Sequence, residues 1–215
     1  MTVFTKTYNP PPFDKGEILR YSGAKESTPE TDKLIDECID EIKNKLIYKV
    51  CYAIFPVSFS DGEVNLSFTK TKSDSLRKNL AGCKEIALFA ATVGLEIDRC
   101  IAKYGRISPS KALIFQAIGA ERIESLCDVF CNEIKHGYIN TAPRFSPGYG
   151  DFPLDVQKDI FRVLEPHRRI GLTLNDSMLM TPSKSVTAIV GIGHNRKTKE
   201  HNCSCCDKTD CFFRR

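Results

Sequence analysis

Hydrophobic residues recur along the chain with two spacings, one typical of helices and one typical of strands. From the helix-start signal Thr28-Pro29-Glu30 to Leu46, apolar residues return every three or four positions, which predicts an amphipathic helix. The same spacing predicts a long helix over residues 110–136. Shorter helices are predicted over residues 73–80, 95–104 and 155–164.

Strand patterns lie between these helices. Residues 84–93 are almost continuously apolar and stop at Gly94, which predicts a strand covered on both faces. Residues 185–192 predict another strand. The β-branched and aromatic runs 48–59 and 64–68 flank Asp61-Gly62 and predict a β-hairpin. Helices and strands are mixed without an internal repeat, so the expected fold class is α+β.

Composition divides the chain into three parts. Residues 1–27 contain Pro10, Pro11 and Pro12 and few apolar anchors, which predicts an extended N-terminal arm. Residues 28–193 carry the helix and strand patterns and predict one α+β domain. Residues 194–215 predict a polar linker followed by a cysteine-rich C-terminal tail.

Composition and charge exclude several classes of protein. With 41% hydrophobic and 27% charged residues, the chain resembles ordinary globular proteins and not disordered or collagen-like ones. The 31 Lys and Arg against 27 Asp and Glu leave a dispersed net charge of +4, too small to indicate a nucleic-acid partner. The amino terminus lacks the apolar core of a secretory signal, and no apolar run reaches the roughly 20 residues that span a bilayer. We therefore expect a cytoplasmic protein without a membrane partner.

Residues 144–153 form a segment punctuated by glycine and proline that is neither a regular helix nor a central strand. Arg144 offers a guanidinium fork for a carboxylate, Gly148 leaves the backbone open to close approach, and Tyr149 offers an aromatic face. These groups suit a zwitterionic aromatic ligand. In the alternative, the segment is a surface connection, with Arg144 paired locally and Tyr149 packed on the core. The residues alone favour that alternative.

A family resemblance shifts this balance towards a ligand site. The motif Arg144-x-x-Pro147-Gly148-Tyr149-x-x-x-Pro153 is similar to the S-adenosylmethionine-binding loop in the activation domain of cobalamin-dependent methionine synthase. Residues 174–186 resemble a later stretch of that domain, in which an acid-Ser pair precedes a Met-x-Pro loop and a Ser-Val strand. A weaker similarity lies at residues 120–124, and the resemblance spans residues 105–192. The remaining chain resembles small free-standing bacterial relatives of the domain.

The resemblance implies a fold, a ligand and partners. The fold is a twisted antiparallel sheet flanked by helices, and the ligand is S-adenosylmethionine (AdoMet). When cobalamin is oxidised to cobalt(II), one electron from a donor protein and a methyl group from AdoMet restore methylcobalamin. The chain contains no corrinoid-binding Asp-x-His-x-x-Gly signature. The expected partners are therefore an electron donor and a separate corrinoid protein, such as a short cobalamin-dependent methionine synthase.

The resemblance also implies roles for individual residues. Arg144 would hold the ligand's carboxylate, Gly148 would permit backbone approach, and Tyr149, the candidate catalytic residue, would lie beside the sulfonium. Glu121 or Glu124 would meet the ligand's amino group, and of these we assign Glu124. The other expected contacts come from the motif loop and from the loop at residues 180–185, which would approach the corrin: Ser146, Pro147, Met180, Pro182 and Ser183. The chain departs from the family after Val190, where Gly191-Ile192-Gly193-His194 replaces a tyrosine-bearing end.

The ten cysteines fall into two groups. Six are spaced as small core residues within the predicted elements: Cys38, Cys51, Cys83, Cys100, Cys127 and Cys131. The other four lie near His201 in the tail and have the spacing of metal ligands: Cys203, Cys205, Cys206 and Cys211. Zinc and an iron-sulfur cluster both suit these ligands, and a tail of reduced thiols is the alternative. A metal there would favour a second function, electron transfer or redox sensing through the tail.

Overall fold

A computed structural model of the chain describes residues 2–24, 26–138 and 140–193. Its helices, in chain order, are α1 (Lys15–Ser22), α2 (Pro29–Ile42), α3 (Asp74–Asn79), α4 (Glu96–Ile107), α5 (Pro109–Gly137), α6 (Val156–Leu164) and α7 (Pro166–Arg169). Its strands are β1 (Phe4–Thr7), β2 (Lys49–Pro56), β3 (Ser58–Ser60), β4 (Glu63–Asn65), β5 (Lys70–Thr71), β6 (Glu85–Thr92), β7 (Asn140–Thr141), β8 (Thr173–Leu174), β9 (Met180–Thr181) and β10 (Ser185–Gly193).

The centre of the fold is a five-stranded antiparallel sheet in the order β1-β2-β6-β10-β7. Side chains alternate between its faces along β6, so that Ala87, Phe89 and Ala91 belong to one buried cluster and Ile86 and Leu88 to the other. Helices α1, α2, α4 and α5 cover the first face, while α3, α6 and the small sheet β3-β4-β5 cover the second. This arrangement confirms the predicted α+β class and the strand buried on both faces.

The N-terminal segment is more structured than the extended arm that we expected over residues 1–27. Residues 4–7 form edge strand β1, whose Phe4 lies opposite Tyr52 of β2, and residues 15–22 form helix α1. The segment is extended only across the prolines between these two elements. The prediction was wrong because backbone pairing holds the edge strand, and the side chain of Asp14 caps α1 by accepting from the Glu17 N–H at 3.0 Å.

The predicted hairpin also needs correction. The run over residues 48–59 divides after Pro56, and its first part, β2, pairs with β1 and β6 in the central sheet. Only β3 and β4 form a hairpin across Asp61-Gly62, both of which have positive φ. Proline has no backbone N–H to donate to a ladder, which suits the point where one sheet ends and the next begins.

The helix predictions are confirmed, with ends that differ by a few residues, and so is the core role of the six cysteines. Five of them are buried and Cys131 is half-buried, and none forms a disulfide. Burial raises the pKa of the Cys51 thiol to about 12 and that of Cys38 to about 11. No helix among the described residues has the length and apolar character needed to cross a membrane.

A fully buried ion pair on α5 ties the N-terminal segment to the core. The Arg122 guanidinium pairs with Glu121 and donates to the carbonyl oxygens of Pro11 at 2.6 Å and Pro12 at 2.7 Å. It also lies 4.0 Å from the centre of the Phe13 ring. The two proline carbonyls need donors because a proline-rich segment has few partners of its own, so Arg122 determines the path of the chain between β1 and α1.

Replacement of Arg122 by methionine should destabilise the protein by about 3–5 kcal/mol, because it leaves the Glu121 carboxylate buried without its counter-ion. Urea unfolding measures this loss. The matched control is Arg99→Met, which breaks an ion pair whose arginine side chain is 69% exposed and should cost less than about 1 kcal/mol. The double variant Glu121→Met with Arg122→Met should recover part of the lost stability. Equal losses in Arg122→Met and Arg99→Met would contradict this account.

Candidate functional site

The loop at residues 144–153 has one defined conformation. The Gly148 N–H donates to the Phe152 carbonyl at 2.8 Å, and the Phe152 N–H donates to the Tyr149 carbonyl at 3.0 Å. Gly148 and Gly150 both have positive φ, and a Cβ on Gly150 would lie 2.6 Å from Ser75 Oγ. Phe152 is buried and anchors the loop in the core, while Tyr149 remains 64% exposed.

Asp151 fixes the far side of this loop to helix α3. Its carboxylate accepts from Ser73 Oγ at 2.6 Å and from the backbone N–H groups of Asp74 at 2.7 Å and Ser75 at 3.0 Å. These donors stand at the start of α3, where backbone N–H groups lack partners within the helix. The hydrogen bond from Ser73 and those from the backbone hold the pKa of the Asp151 carboxyl well below its usual range.

A cleft of about 320 Å³ opens beside this loop at the edge of β10. Phe145 forms a single bridge with Ile189, and the part of β10 before this bridge, residues 185–188, has no strand on its outer side among the described residues. The cleft occupies that edge. Its lining residues are Glu124, Arg144, Ser146, Pro147, Tyr149, Gln157, Met180, Ser185, Val186 and Thr187.

Arg144 is held at the cleft by two carboxylates from α5. Its guanidinium donates to Asp128 Oδ1 at 2.5 Å and also pairs with Glu124. Burial disfavours the charge on Arg144, but the hydrogen bond to Asp128 and the charge of Glu124 outweigh burial and raise its pKa. Burial also raises the pKa of the Cys131 thiol, which lies beside Arg144, to about 11. The three charged side chains therefore form a fixed cluster with one positive and two negative charges.

The second predicted segment is tied to α4 and to the sheet. The Ser183 N–H donates to Asp98 Oδ2 at 3.0 Å, and Ser185 Oγ donates to the Pro182 carbonyl at 2.8 Å. Burial lowers the pKa of Lys184, while Asp98 opposes this change. Together these contacts place β9, with Met180, at the cleft wall.

The structure brings most of the predicted site residues together. Glu124, Arg144, Ser146, Pro147, Tyr149 and Met180 line the cleft. Gly148 shapes the loop without lining the cleft, and Pro182 and Ser183 belong to the anchored loop behind Met180. Glu121, the alternative to Glu124, lies in the buried pair with Arg122 and is only 2% exposed.

Four lining residues were not assigned individually from the sequence, although Ser185 ends the predicted contact loop: Gln157, Ser185, Val186 and Thr187. A weak signal was present for two of them. Ser185 and Thr187 lie on the same face of a strand as Ile189, which is apolar and buried. Polar residues at such inward positions indicate a partner, either in the protein or in a ligand. Gln157 gave no such signal because amphipathic helices carry many polar residues.

The predicted metal ligands Cys203, Cys205, Cys206 and Cys211 lie outside the described residues, so metal binding by the tail stays a prediction. Within residues 2–24, 26–138 and 140–193, no group of three or more His, Cys, Asp or Glu side chains is placed to hold a metal ion.

Comparison with known proteins identifies the fold around this cleft. The family model described as the activation domain of vitamin B12 dependent methionine synthase matches residues 60–211, well over half of the chain. The chain belongs to this family. The activation-domain fold also matches the crystal structure of the MetH reactivation domain bound to AdoHcy, with a TM-score of 0.62 and 16% identity over 92% of this chain and 80% of that one. Comparison with curated proteins gives no significant match.

Replacement of Asp151 by asparagine should lower the Tm of this activation domain at pH 7, because the start of α3 loses its charged acceptor. The folded pKa of Asp151 lies below the ordinary value of 3.8, so its stabilisation is present above that value and is lost as the pH falls. The difference in Tm between wild type and variant should therefore narrow from about pH 5 towards pH 3. Thermal unfolding at several pH values measures it.

The control for this variant is Asp155→Asn. Asp155 precedes α6, but its side chain makes no capping hydrogen bond, so its replacement should change Tm less at every pH. A difference in Tm for Asp151→Asn that does not depend on pH would contradict the proposed role of the charged carboxylate.

Proposed function

We propose that the chain is an AdoMet-binding reactivation module that supports reductive methylation of cobalamin carried by a separate corrinoid partner, a methionine synthase without an activation domain. The observation that carries this proposal is the cluster of Arg144, Glu124 and Asp128 at the cleft beside the loop Pro147-Gly148-Tyr149. A family that acts in methionine synthase activation, and a related structure bound to AdoHcy, support the choice of ligand.

The charges of the cluster complement those of AdoMet. One guanidinium and two carboxylates sum to a charge of −1, while AdoMet carries a carboxylate, an ammonium and a sulfonium and has a charge of +1. The ligand's carboxylate would take one side of the Arg144 fork, and its ammonium would take Glu124. Asp128 would keep its own bond to Arg144 and hold the guanidinium in place. Binding would thus replace the ion pair between Arg144 and Glu124 with two ion pairs, one to the ligand's carboxylate and one to its ammonium.

Tyr149 is placed to position the reacting end of the ligand. Its ring stands at the cleft, 64% exposed, with the Phe145 ring centre 6.2 Å away. An aromatic face beside a sulfonium attracts it by about 0.5–2 kcal/mol. In the proposed reaction, cobalt(II) accepts one electron and AdoMet transfers a methyl cation, which yields methylcobalamin and S-adenosylhomocysteine (AdoHcy). The contribution of this chain is to orient the methyl group towards the partner.

An apolar rim around the cleft provides a surface for that partner. Tyr149, Leu154 and Leu179 are exposed by 64%, 46% and 64%. The Leu154 side chain lies against Gly148, with its Cδ1 3.4 Å from the position that a Cβ on Gly148 would take. Leu179 precedes the lining residue Met180 in the sequence. Exposed apolar side chains grouped around a cleft are typical of an interaction surface. The corrin ring, which has large apolar faces, suits this rim.

Titration calorimetry with AdoMet tests the ligand. Wild-type protein should bind saturably, and Glu124→Gln should bind about 10- to 100-fold more weakly because the ligand's ammonium loses a charged acceptor. The matched control is Glu133→Gln on the same helix, whose carboxylate pairs with Lys6 and Tyr8 and does not line the cleft. Its affinity should equal that of wild type. Equal loss of affinity in both variants, or no binding by wild type, would contradict the proposed site.

Leu179→Ser tests the rim. We expect unchanged AdoMet affinity but about fivefold slower formation of methylcobalamin on a methionine synthase whose activation domain has been removed, in the presence of a chemical reductant. The cobalamin absorbance spectrum reports the rate. The control Ile107→Ser changes a 69% exposed residue at the end of α4 and should leave the rate unchanged. A rate that Leu179→Ser does not slow would remove the rim from the docking surface.

A further inference from the structure

Two buried polar atoms in the cleft have no partner within the described residues. Gln157 is 6% exposed and Thr187 is 2% exposed, yet Gln157 Oε1 and Thr187 Oγ1 accept and donate no hydrogen bond there. Both residues line the same cleft. Buried polar groups in folded proteins are nearly always paired, so two unpaired ones in a cleft mark a place where a ligand supplies the partner.

The backbone of β10 adds a donor and an acceptor at the same place. The Ile189 N–H and carbonyl exchange hydrogen bonds with Phe145, both at 2.9 Å, and the Gly191 carbonyl accepts from the Ala142 N–H at 2.7 Å. These alternate residues direct their peptide groups to the outer edge of the strand. By the same alternation, the N–H and carbonyl of Thr187 face that edge, beyond the last bridged residue.

The cleft has two chemically different ends. Glu124 lies on α5, which packs on one face of the sheet, and Gln157 lies on α6, which packs on the other. Thr187 shares its face of β10 with Ile189, a member of the cluster on the α6 side. The charged end is therefore on the α5 side of the strand edge, and the neutral end with the unpaired atoms is on the α6 side.

We propose that this neutral end reads the nucleobase edge of the ligand, an inference that rests on the proposed function. Adenine presents an exocyclic amine, which donates, next to a ring nitrogen, which accepts. The amine would donate to Gln157 Oε1, and the ring nitrogen would accept from the Thr187 hydroxyl. The side chains of Pro147 and Met180 supply apolar walls for a flat ring.

The test compares AdoHcy with S-inosylhomocysteine, in which a carbonyl replaces the exocyclic amine. Wild-type protein should bind AdoHcy about tenfold or more tightly, because the carbonyl would set one acceptor against Gln157 Oε1. Gln157→Leu should reduce this preference to less than about threefold. The matched control, Gln116→Leu, makes the same change at an exposed position of α5 and should keep the wild-type preference.

A second pair of variants separates ligand recognition from structure. Thr187→Val should weaken AdoHcy binding about fivefold and leave Tm unchanged or higher, because the hydroxyl that it removes has no partner among the residues that the structure describes. Thr187→Ser, which keeps the hydroxyl, should bind like wild type. A fall in Tm with Thr187→Val and no change in affinity would assign the hydroxyl a structural role and overturn its part in the inference.

The outcomes distinguish this inference from the proposed function. If wild type binds AdoHcy and the preference over S-inosylhomocysteine is the same in Gln157→Leu, the nucleobase assignment is wrong and the proposed function stands. If wild type binds neither compound, both fail. A preference that only Gln157→Leu loses, with Gln116→Leu unchanged, supports the assignment.

Discussion

The central strand β6 has no exposed face, and the rest of the fold follows from this constraint. Its side chains are buried on both sides, so the sheet needs one layer of helices on each face. Those two layers meet at the outer edge of β10, where the last strand stops short. The cleft therefore lies where an α5 residue, an α6 residue and a strand edge without a neighbour in the described part of the chain come together. A sheet buried on one face only would not combine such different groups in one cleft.

The parts of the fold that could be predicted are those in which local pattern and tertiary burial agree. The long helix α5 and the strands β6 and β10 carry apolar residues at most inward positions, so their sequence indicates both type and extent. Strand β1 gave no such signal, since Phe4 is 48% exposed and backbone pairing holds the strand. The partners of β2 could not be predicted either. Strands that are distant in sequence pair without a short turn between them, so no turn motif indicates the pairing.

The residues of the candidate site also fall into two groups, those that the sequence indicates and those that only packing brings to the cleft. Arg144 and Tyr149 belong to a contiguous loop whose glycine and proline spacing is visible in the sequence, and the resemblance to the family motif implies their roles. Asp128 and Gln157 could not be found, because helix residues become neighbours of a loop only through packing. The choice between Glu121 and Glu124 needed the helix rotation, which buries the first with Arg122 and places the second at the cleft.

Asp151 connects the loop at residues 144–153 to helix α3, which lies outside the cleft. Its three hydrogen bonds join the loop to the start of α3, and α3 packs with the small sheet through Leu76 and Val64. Linked groups influence one another equally in both directions. A restraint on the loop is therefore also a restraint on the start of α3, and a displacement of α3 is transmitted to the loop.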